Sequence, residues 1–282
     1  MILVDESVAR SIFKPRKSDS SKWDHGHALI IAGCRGKAGA TILAAKACLR
    51  SGAGLLTVHV PWGIETVLQV SLPEAMIFLD SNQYHWTKIA DLTYKNAVGV
   101  GPGIGTDNQT VQVFSKFLDD LKLPAVIDAD ALNILSMVPE LQDKLQPNTV
   151  LTPHHREFSR LIGKTWDSEN ELDVLARQYS AEKRIVLVLK SSQTKIYTPQ
   201  GHVFVNSTGN SGLAKGGSGD VLTGIITSFL AQGYNATDAA VLGCYLHGRS
   251  ADLAVKNSTE ESLLATDVIE QLSLAIKEIK TN

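Results

Sequence analysis

The chain reads as an α/β protein: a three-layer sandwich with a mainly parallel central sheet and helices on both faces. Three observations point there. From His27 onward, short runs that are apolar throughout alternate with segments of helical periodicity. That is the pattern of strands buried on both faces and joined by crossover helices. Several runs end in glycine-rich or polar loops, at the strand ends where open α/β sheets collect ligands. Near residue 190 the alternation stops and a hairpin signal brings in a short antiparallel pair.

The elements follow in order. Residues 28–32, Ala-Leu-Ile-Ile-Ala, form the first strand, and a glycine-bearing turn leads into a helix over about 40–51. Residues 55–60 form the next strand, with a helix near 64–70. The runs 75–79, 97–100, 125–127 and 150–152 repeat the theme, with helices near 108–121 and 154–161. Residues 184–189 are a further strand, apolar along nearly its whole length. Strands at 195–198 and 202–206 flank Pro199-Gln-Gly201, whose proline and glycine suit a tight reversal. Helices over 221–232, 237–255 and 264–280 close the chain, the second capped by Asn235 or Thr237. No repeat, low-complexity block or linker intervenes, so residues 1–282 are expected to form one domain.

Composition sets the outer bounds. With 44% apolar and 20% charged residues in 282, the chain can bury a sizeable core. Its 27 basic and 29 acidic residues leave a net charge of −2, which argues against a nucleic-acid or membrane footprint. Lys14, Arg16, Lys17 and Lys22 read as a solvated N-terminal arm. Cys34, Cys48 and Cys244 are widely spaced and form no CxxC pair, as in a reducing compartment. No apolar signal core opens the chain, and no run reaches the ~18–20 residues of a membrane helix. A cytoplasmic protein without nucleic-acid or membrane partners is expected.

The most informative segment is 209–224. Six of its sixteen residues are glycine, it carries Lys215 and Asp220, and it runs into an apolar helical stretch. Glycines let backbone N–H groups turn inward around an anion. A helix start at Ser218 or Gly219 adds free N–H groups and the positive end of the helix dipole. Gly216, Gly217, Ser218 and Gly219 are therefore the candidate anion hole. Asp220, a carboxylate beside it, points to chemistry on a hydroxyl.

The other loops leave two readings each. Residues 33–40, Gly-Cys-Arg-Gly-Lys-Ala-Gly-Ala, match neither the dinucleotide fingerprint nor a Walker A loop. Their glycines serve a tight turn or a close approach of backbone to a ligand. Gly99-Val-Gly-Pro-Gly-Ile-Gly105 leaves room for a flat or phosphorylated ligand, or simply turns. In Asp128-Ala-Asp-Ala-Leu-Asn133 the carboxylates and amide could hold Mg²⁺ through water, or Asp130 caps the next helix. In Thr152-Pro-His-His-Arg-Glu157 adjacent histidines cannot share a metal as an i, i+4 pair does. His154 is favoured for ligand contact and Glu157 for a helix start or a Mg²⁺-bound water. Lys190-Ser-Ser-Gln-Thr194 offers an ammonium and hydroxyls to phosphates or a ribose, or is a polar turn. His25, His27, His59, His85, His202 and His247 share no spacing and read as ordinary surface or core residues.

Together these segments resemble the ribokinase-like superfamily and, within it, the ADP/ATP-dependent NAD(P)H-hydrate dehydratases. The likeness is carried by 33–40, 100–105, 128–133, 151–158 and 209–224, with Leu263-Leu-Ala-Thr-Asp-Val-Ile269 matching as well, and spans about residues 25–280. It implies the ribokinase-like sandwich and a repair reaction on hydrated NADH or NADPH (NADHX, NADPHX). The ring hydroxyl is phosphorylated and phosphate then leaves. Carried over by position, Ala40, Gly103, His154 and Asp220 contact the hydrate. Lys190, Ser191, Ser192, Gln193, Thr194 and Gly219 contact the nucleotide, and Asp220 is the catalytic base. The resemblance also implies Mg²⁺ and a homotetramer. The lack of a targeting segment or fused domain looks like bacterial members, giving ADP as the expected donor and ATP as the alternative. Pro153-His-His-Arg-Glu157 departs from the family's Pro-His-Pro-Gly-Glu, and Ser191 and Ser192 stand where glycine is common. The rival expectation is a vitamin-precursor kinase of the same superfamily, which shares the glycine-loop aspartate.

Overall fold

Ten strands form one sheet in the computed structural model, which describes residues 1–280. In chain order the elements are β1 (Ile2–Val4), α1 (Glu6–Ile12), β2 (His27–Ile31), α2 (Ala38–Arg50), β3 (Leu55–Pro61), α3 (Glu65–Ser71), β4 (Met76–Asp80) and β5 (Ala97–Val100). Then come α4 (Asn108–Asp120), β6 (Ala125–Ile127), α5 (Ala129–Met137), β7 (Val150–Leu151), α6 (His155–Ile162), α7 (Glu169–Lys183) and β8 (Val186–Leu189). The chain closes with β9 (Lys195–Tyr197), β10 (Val203–Asn206), α8 (Ser218–Ala231), α9 (Ala236–Ala254) and α10 (Ala265–Lys280).

The sheet order is β1-β10-β9-β8-β7-β6-β5-β2-β3-β4. Every neighbouring pair is parallel except those made by β9, which runs antiparallel to β8 and β10. From β2 the chain builds outward through β3 to β4, then returns to lay β5 on the other side of β2. That reversal is the topological switch point, where α/β sheets open a crevice at the carboxyl ends of their strands.

Alternation along single strands explains the three layers. Ala28 and Ile30 of β2 join the core under α2, α8, α9 and α10, while Leu29 and Ile31 join the core under α4, α5 and α7. Val186 and Val188 of β8 divide from Leu187 and Leu189 in the same way, as the period-2 geometry of a strand requires. On the first face α2 and α8 lie very close: a Cβ at Gly224 would stand 2.0 Å from the Ala44 carbonyl oxygen, so only glycine fits. No helix among the described residues is long and apolar enough to cross a membrane.

Several elements depart from the expectations. β1 and α1 precede the first expected strand; β1 pairs with β10 in register Ile2↔Phe204, and Asp5 caps α1 by accepting from Val8 N–H at 3.0 Å. α7 was not expected, because its only buried positions are Leu172, Ala176, Tyr179 and Ser180. Its start was nonetheless written as Ser168 followed by Glu171, with Ser168 Oγ accepting from Glu171 N–H at 3.2 Å. α8 begins at Ser218, and α9 is capped by Asn235 rather than Thr237. The basic arm is partly docked: Lys14 N–H donates to the Tyr234 hydroxyl at 2.8 Å, and its ammonium lies 4.7 Å from that ring's centre.

Candidate active site

The loops singled out in the sequence converge at the carboxyl edge of the sheet, around the first turn of α8. Gly217 precedes that helix at φ +94°, a left-handed conformation that glycine adopts freely. Ser218, Gly219 and Asp220 form its first turn, whose N–H groups have no intrahelical acceptor. The Ser218 N–H turns back to the Lys215 carbonyl at 3.4 Å, so of the four expected anion-hole residues Ser218 already has an acceptor for its N–H. Lys215 reaches away from the nest, donating its ammonium to the Glu261 carbonyl at 2.7 Å.

Beneath this turn lies a buried charge cluster that spacing alone does not disclose. Lys190 Nζ donates to Asp128 Oδ1 at 2.9 Å and stands 3.9 Å from Glu157 Oε2. Thr223 Oγ1, one turn beyond Asp220, donates to Asp128 Oδ2 at 2.8 Å. A Cβ at Gly219 would stand 3.3 Å from Lys190 Nζ and 3.5 Å from Asp128 Oδ2. Burial works against the Lys190 charge, but Asp128 and then Glu157 outweigh it and hold the ammonium protonated. Asp220 is pushed up to about 7 by burial first and the Asp128 carboxylate second, with Lys190 pulling partly back. A carboxyl poised near neutrality can accept a proton and is suited to general-base work.

Asp128, Asp130 and Asn133 do not fit a direct magnesium site. Asp128 is engaged by Lys190 and Thr223, while Asp130 Oδ2 accepts from Lys37 Nζ at 3.0 Å and from Gly105 N–H at 2.9 Å. Asn133 Nδ2 donates to Asp130 Oδ1 at 3.3 Å. Among the described residues no three His, Cys, Asp or Glu side chains converge as a metal site. Asp130 is also not the cap of α5, which begins one residue earlier, at Ala129. Ala129 itself has φ +49°, a strained left-handed conformation for a residue with a Cβ, beside the buried Asp128.

His154 and Glu157 start α6 as a reciprocal pair. His154 Nδ1 accepts from the Arg156 and Glu157 N–H groups at 3.1 and 3.2 Å, and Glu157 Oε2 accepts from the His154 N–H at 2.8 Å. Glu157 therefore takes the helix-start role. With Nδ1 committed as an acceptor, Nε2 carries the imidazole proton, and burial holds His154 below its ordinary pKa. The half-exposed ring lines a cavity of about 760 Å³.

That cavity is walled by Lys190, Ser191, Ser192 and Thr194 on one side and by Gly219, Leu222, Cys244 and His247 on the other. Gln193 is not in the wall; it is exposed, with its N–H donated to Ser191 Oγ at 3.2 Å. His247, read from the sequence as an ordinary residue, belongs to the wall, and burial pushes it down to about 4, so it is neutral. Ala40 and Gly103 do not line this cavity; they belong to the loops that follow β2 and β5. A Cβ at Gly103, which has φ +66°, would stand 3.0 Å from the Ala40 Cβ. The two loops are tied by Gly33 N–H donating to the Pro102 carbonyl at 2.7 Å.

The mainly parallel sheet, with a glycine-rich helix start and its carboxylate at the carboxyl edge, is a ribokinase-like fold. The chain belongs to the NAD(P)H-hydrate dehydratase family, whose profile matches residues 28–274. It is 36% identical over 288 residues to a bifunctional NAD(P)H-hydrate repair enzyme of Moorella thermoacetica, covering 99% of this chain and 54% of that protein. The chain thus spans about half the length of the bifunctional relatives it matches. It is 32% identical to the ADP-dependent (S)-NAD(P)H-hydrate dehydratase of Bacillus subtilis, with 93% of each chain covered. The crystal structure of the B. subtilis ADP/ATP-dependent NAD(P)H-hydrate dehydratase, co-crystallised with ATP/Mg²⁺, superposes with a TM-score of 0.85 at 28% identity, covering 99% of both chains.

Proposed function

We propose that this protein is a nucleotide-dependent (6S)-NAD(P)H-hydrate dehydratase, a hydro-lyase that restores NADH and NADPH from their hydrates. The observation that carries the reading is Asp220, poised near neutrality at the mouth of an anion-binding helix start, between a cavity on one side and two glycine loops on the other. The nucleotide occupies the 760 Å³ cavity against Lys190, Ser191, Ser192, Thr194 and Gly219. The hydrate lies against Ala40 and Gly103 and is met by His154 from the cavity that His154 itself lines. Asp220 takes the proton of the hydrate's ring hydroxyl as that oxygen attacks the terminal phosphorus of the donor. The bond from phosphorus to the bridging oxygen breaks, and the shortened nucleotide leaves with that electron pair. The N–H groups at 216–219 hold the transferring phosphoryl oxygens, the main service a protein renders in such transfers. The ring C–O bond then breaks as inorganic phosphate departs, the ring gives up a proton, and the dihydronicotinamide double bond is restored.

ADP is the proposed donor. The ADP-dependent B. subtilis relative supports it, while the ATP/Mg²⁺ co-crystal of that organism's enzyme keeps ATP in the comparison. Bacterial relatives include the longer bifunctional kind, so chain length does not choose between donors. Magnesium enters this reading with the nucleotide's phosphates, with most of its ligands phosphate oxygen and water. One domain, a homotetramer and a cytoplasmic location complete the reading, the last supported by three free cysteines. The test is incubation with NADH hydrate, Mg²⁺ and either ADP or ATP, following the absorbance band of reduced nicotinamide. Recovery with ADP exceeding that with ATP is expected. No recovery with either donor overturns the proposal, and a stable phosphorylated product without NADH selects a small-molecule kinase instead.

A further inference from the structure

The catalytic cluster and the glycine loops leave a third group of residues at the same sheet edge without a role. The loop after β4 is built rigidly. Asp80, 2% exposed, accepts from the N–H groups of Asn82, Thr87 and Lys88 at 2.9, 2.7 and 2.8 Å. Asn82 Oδ1 in turn accepts from the N–H groups of Tyr84 and His85 at 2.7 and 3.1 Å, and its Nδ2 donates to Gln109 at 3.3 Å. This framework serves to present Tyr84, whose ring is held at the surface and is 40% exposed. Arg35, from the glycine loop after β2, donates its N–H to the Tyr84 carbonyl at 3.2 Å. Its guanidinium lies 5.0 Å from the centre of the Tyr84 ring. An ordered, partly exposed aromatic ring paired with a planar cation is a stacking surface for a heteroaromatic base.

Its position along the sheet matters. Asp128, against which Asp220 is tuned, stands at the end of β6, and the Tyr84 loop follows β4. That loop folds back so that the Tyr84 carbonyl accepts from Arg35 N–H in the loop after β2, which places the pair beside β2, with β5 between it and β6; two strand spacings of about 4.8 Å make that offset roughly 10 Å along the sheet. Gly103, Ala40 and Lys37 lie together at the near part of that track: a Cβ at Gly103 would stand 3.0 Å from the Ala40 Cβ and 3.2 Å from the Lys37 Cβ. A one-ring substrate at Asp220 would leave the far end empty, whereas two nucleosides joined by a pyrophosphate reach along it.

We propose that Arg35 and Tyr84 form the platform on which the adenine end of the dinucleotide hydrate stacks, making them specificity residues for a dinucleotide over a mononucleotide. The inference rests on the dehydratase reading above. It is tested by steady-state kinetics with two substrates, NADH hydrate and the hydrate of reduced nicotinamide mononucleotide, which has the reacting ring but no adenylate. Both side chains are at the surface, so Tyr84→Ala and Arg35→Ala are expected to fold. Wild-type protein should prefer NADH hydrate in kcat/KM, and either alanine variant should reduce that preference about tenfold through KM for NADH hydrate, within the range of base–aromatic stacking. Tyr84→Phe, which keeps the ring, should retain the preference. A preference that survives in both alanine variants, or that the wild type lacks, overturns the platform. Failure of the wild type to turn over either hydrate instead overturns the dehydratase reading, and the platform with it.

Discussion

Replacing Asp220 by asparagine probes the base and its surroundings together. Burial and the Asp128 carboxylate lift Asp220 from 3.8 to about 7. A gap of about 3 units at 1.36 kcal/mol each sets a ceiling of about 4 kcal/mol. Residual solvent at this incompletely buried side chain screens part of it, leaving about 2 kcal/mol. The sign follows from which state holds the proton. Below about pH 4 the carboxyl is protonated in both folded and unfolded chains and contributes nothing. Between about pH 4 and 7 the unfolded chain releases its proton while the folded chain keeps it, so stability falls as pH rises. Above about pH 7 the full penalty applies. Asparagine carries no such penalty, so Asp220→Asn should be more stable than the wild type by about 2 kcal/mol at pH 8. That is a rise in melting temperature of about 4 °C, and it should vanish near pH 4. Hydrate turnover should fall ~10²–10⁴-fold while calorimetry shows nucleotide affinity retained. Melting curves at both pH values decide the matter: a variant no more stable than the wild type at pH 8 would refute the account of a strained anion.

Two further substitutions address the neighbours. Lys190→Met removes the cation that faces the buried Asp128 carboxylate, and an uncompensated buried charge costs about 3–5 kcal/mol, to be read from denaturant midpoints. In the same variant the rising limb of the pH–rate profile should move to higher pH, since Lys190 is the group that pulls Asp220 down; an unmoved limb would separate that limb from Asp220. Gly103→Val forces a β-branched residue into φ +66° with its Cβ 3.0 Å from the Ala40 Cβ. The strain costs about 1–3 kcal/mol. KM for the hydrate should rise while nucleotide affinity, measured by calorimetry, stays put, and equal losses at both would contradict the separation of the two sides.

The sequence made the sheet legible wherever a strand was apolar on both faces, because burial in three layers removes the polar alternation that would otherwise blur the signal. It was silent at β1, an edge strand of three residues with Ile2 and Leu3 exposed, and at α7, which buries a narrow stripe. The glycine loops were legible as positions because close approach and positive φ leave few alternatives. The partners of their side chains were not. The spacing of Asp128 and Asp130 fits a metal pair, yet each carboxylate is taken by a lysine from a different loop, Lys190 and Lys37. Nothing in a local motif announces an ion pair between residues 62 positions apart. Thr223 and His247 were hidden for the same reason, since each gains its meaning only from a neighbour brought in by the fold.

The arrangement also supports the proposal that one carboxylate serves two ligands. α8 is pressed onto α2, since a Cβ at Gly224 would strike the Ala44 carbonyl and one at Gly217 would lie 2.6 Å from Leu43 Cδ1. That contact brings the start of α8 to the start of α2, at the β2/β5 switch point where the glycine loops 33–40 and 99–105 emerge. The loop before α8 arrives from β10, on the opposite half of the sheet, and walls the 760 Å³ cavity. The first turn of α8 is thus where the two halves meet, and Asp220 stands on it. Asp128 then has two jobs that pull in opposite directions: it fixes the Lys190 ammonium beside Gly219, and it raises Asp220 toward neutrality. A neutral residue at 128 would release the lysine toward Asp220 and lower its carboxyl, weakening it in the proton-accepting role proposed above.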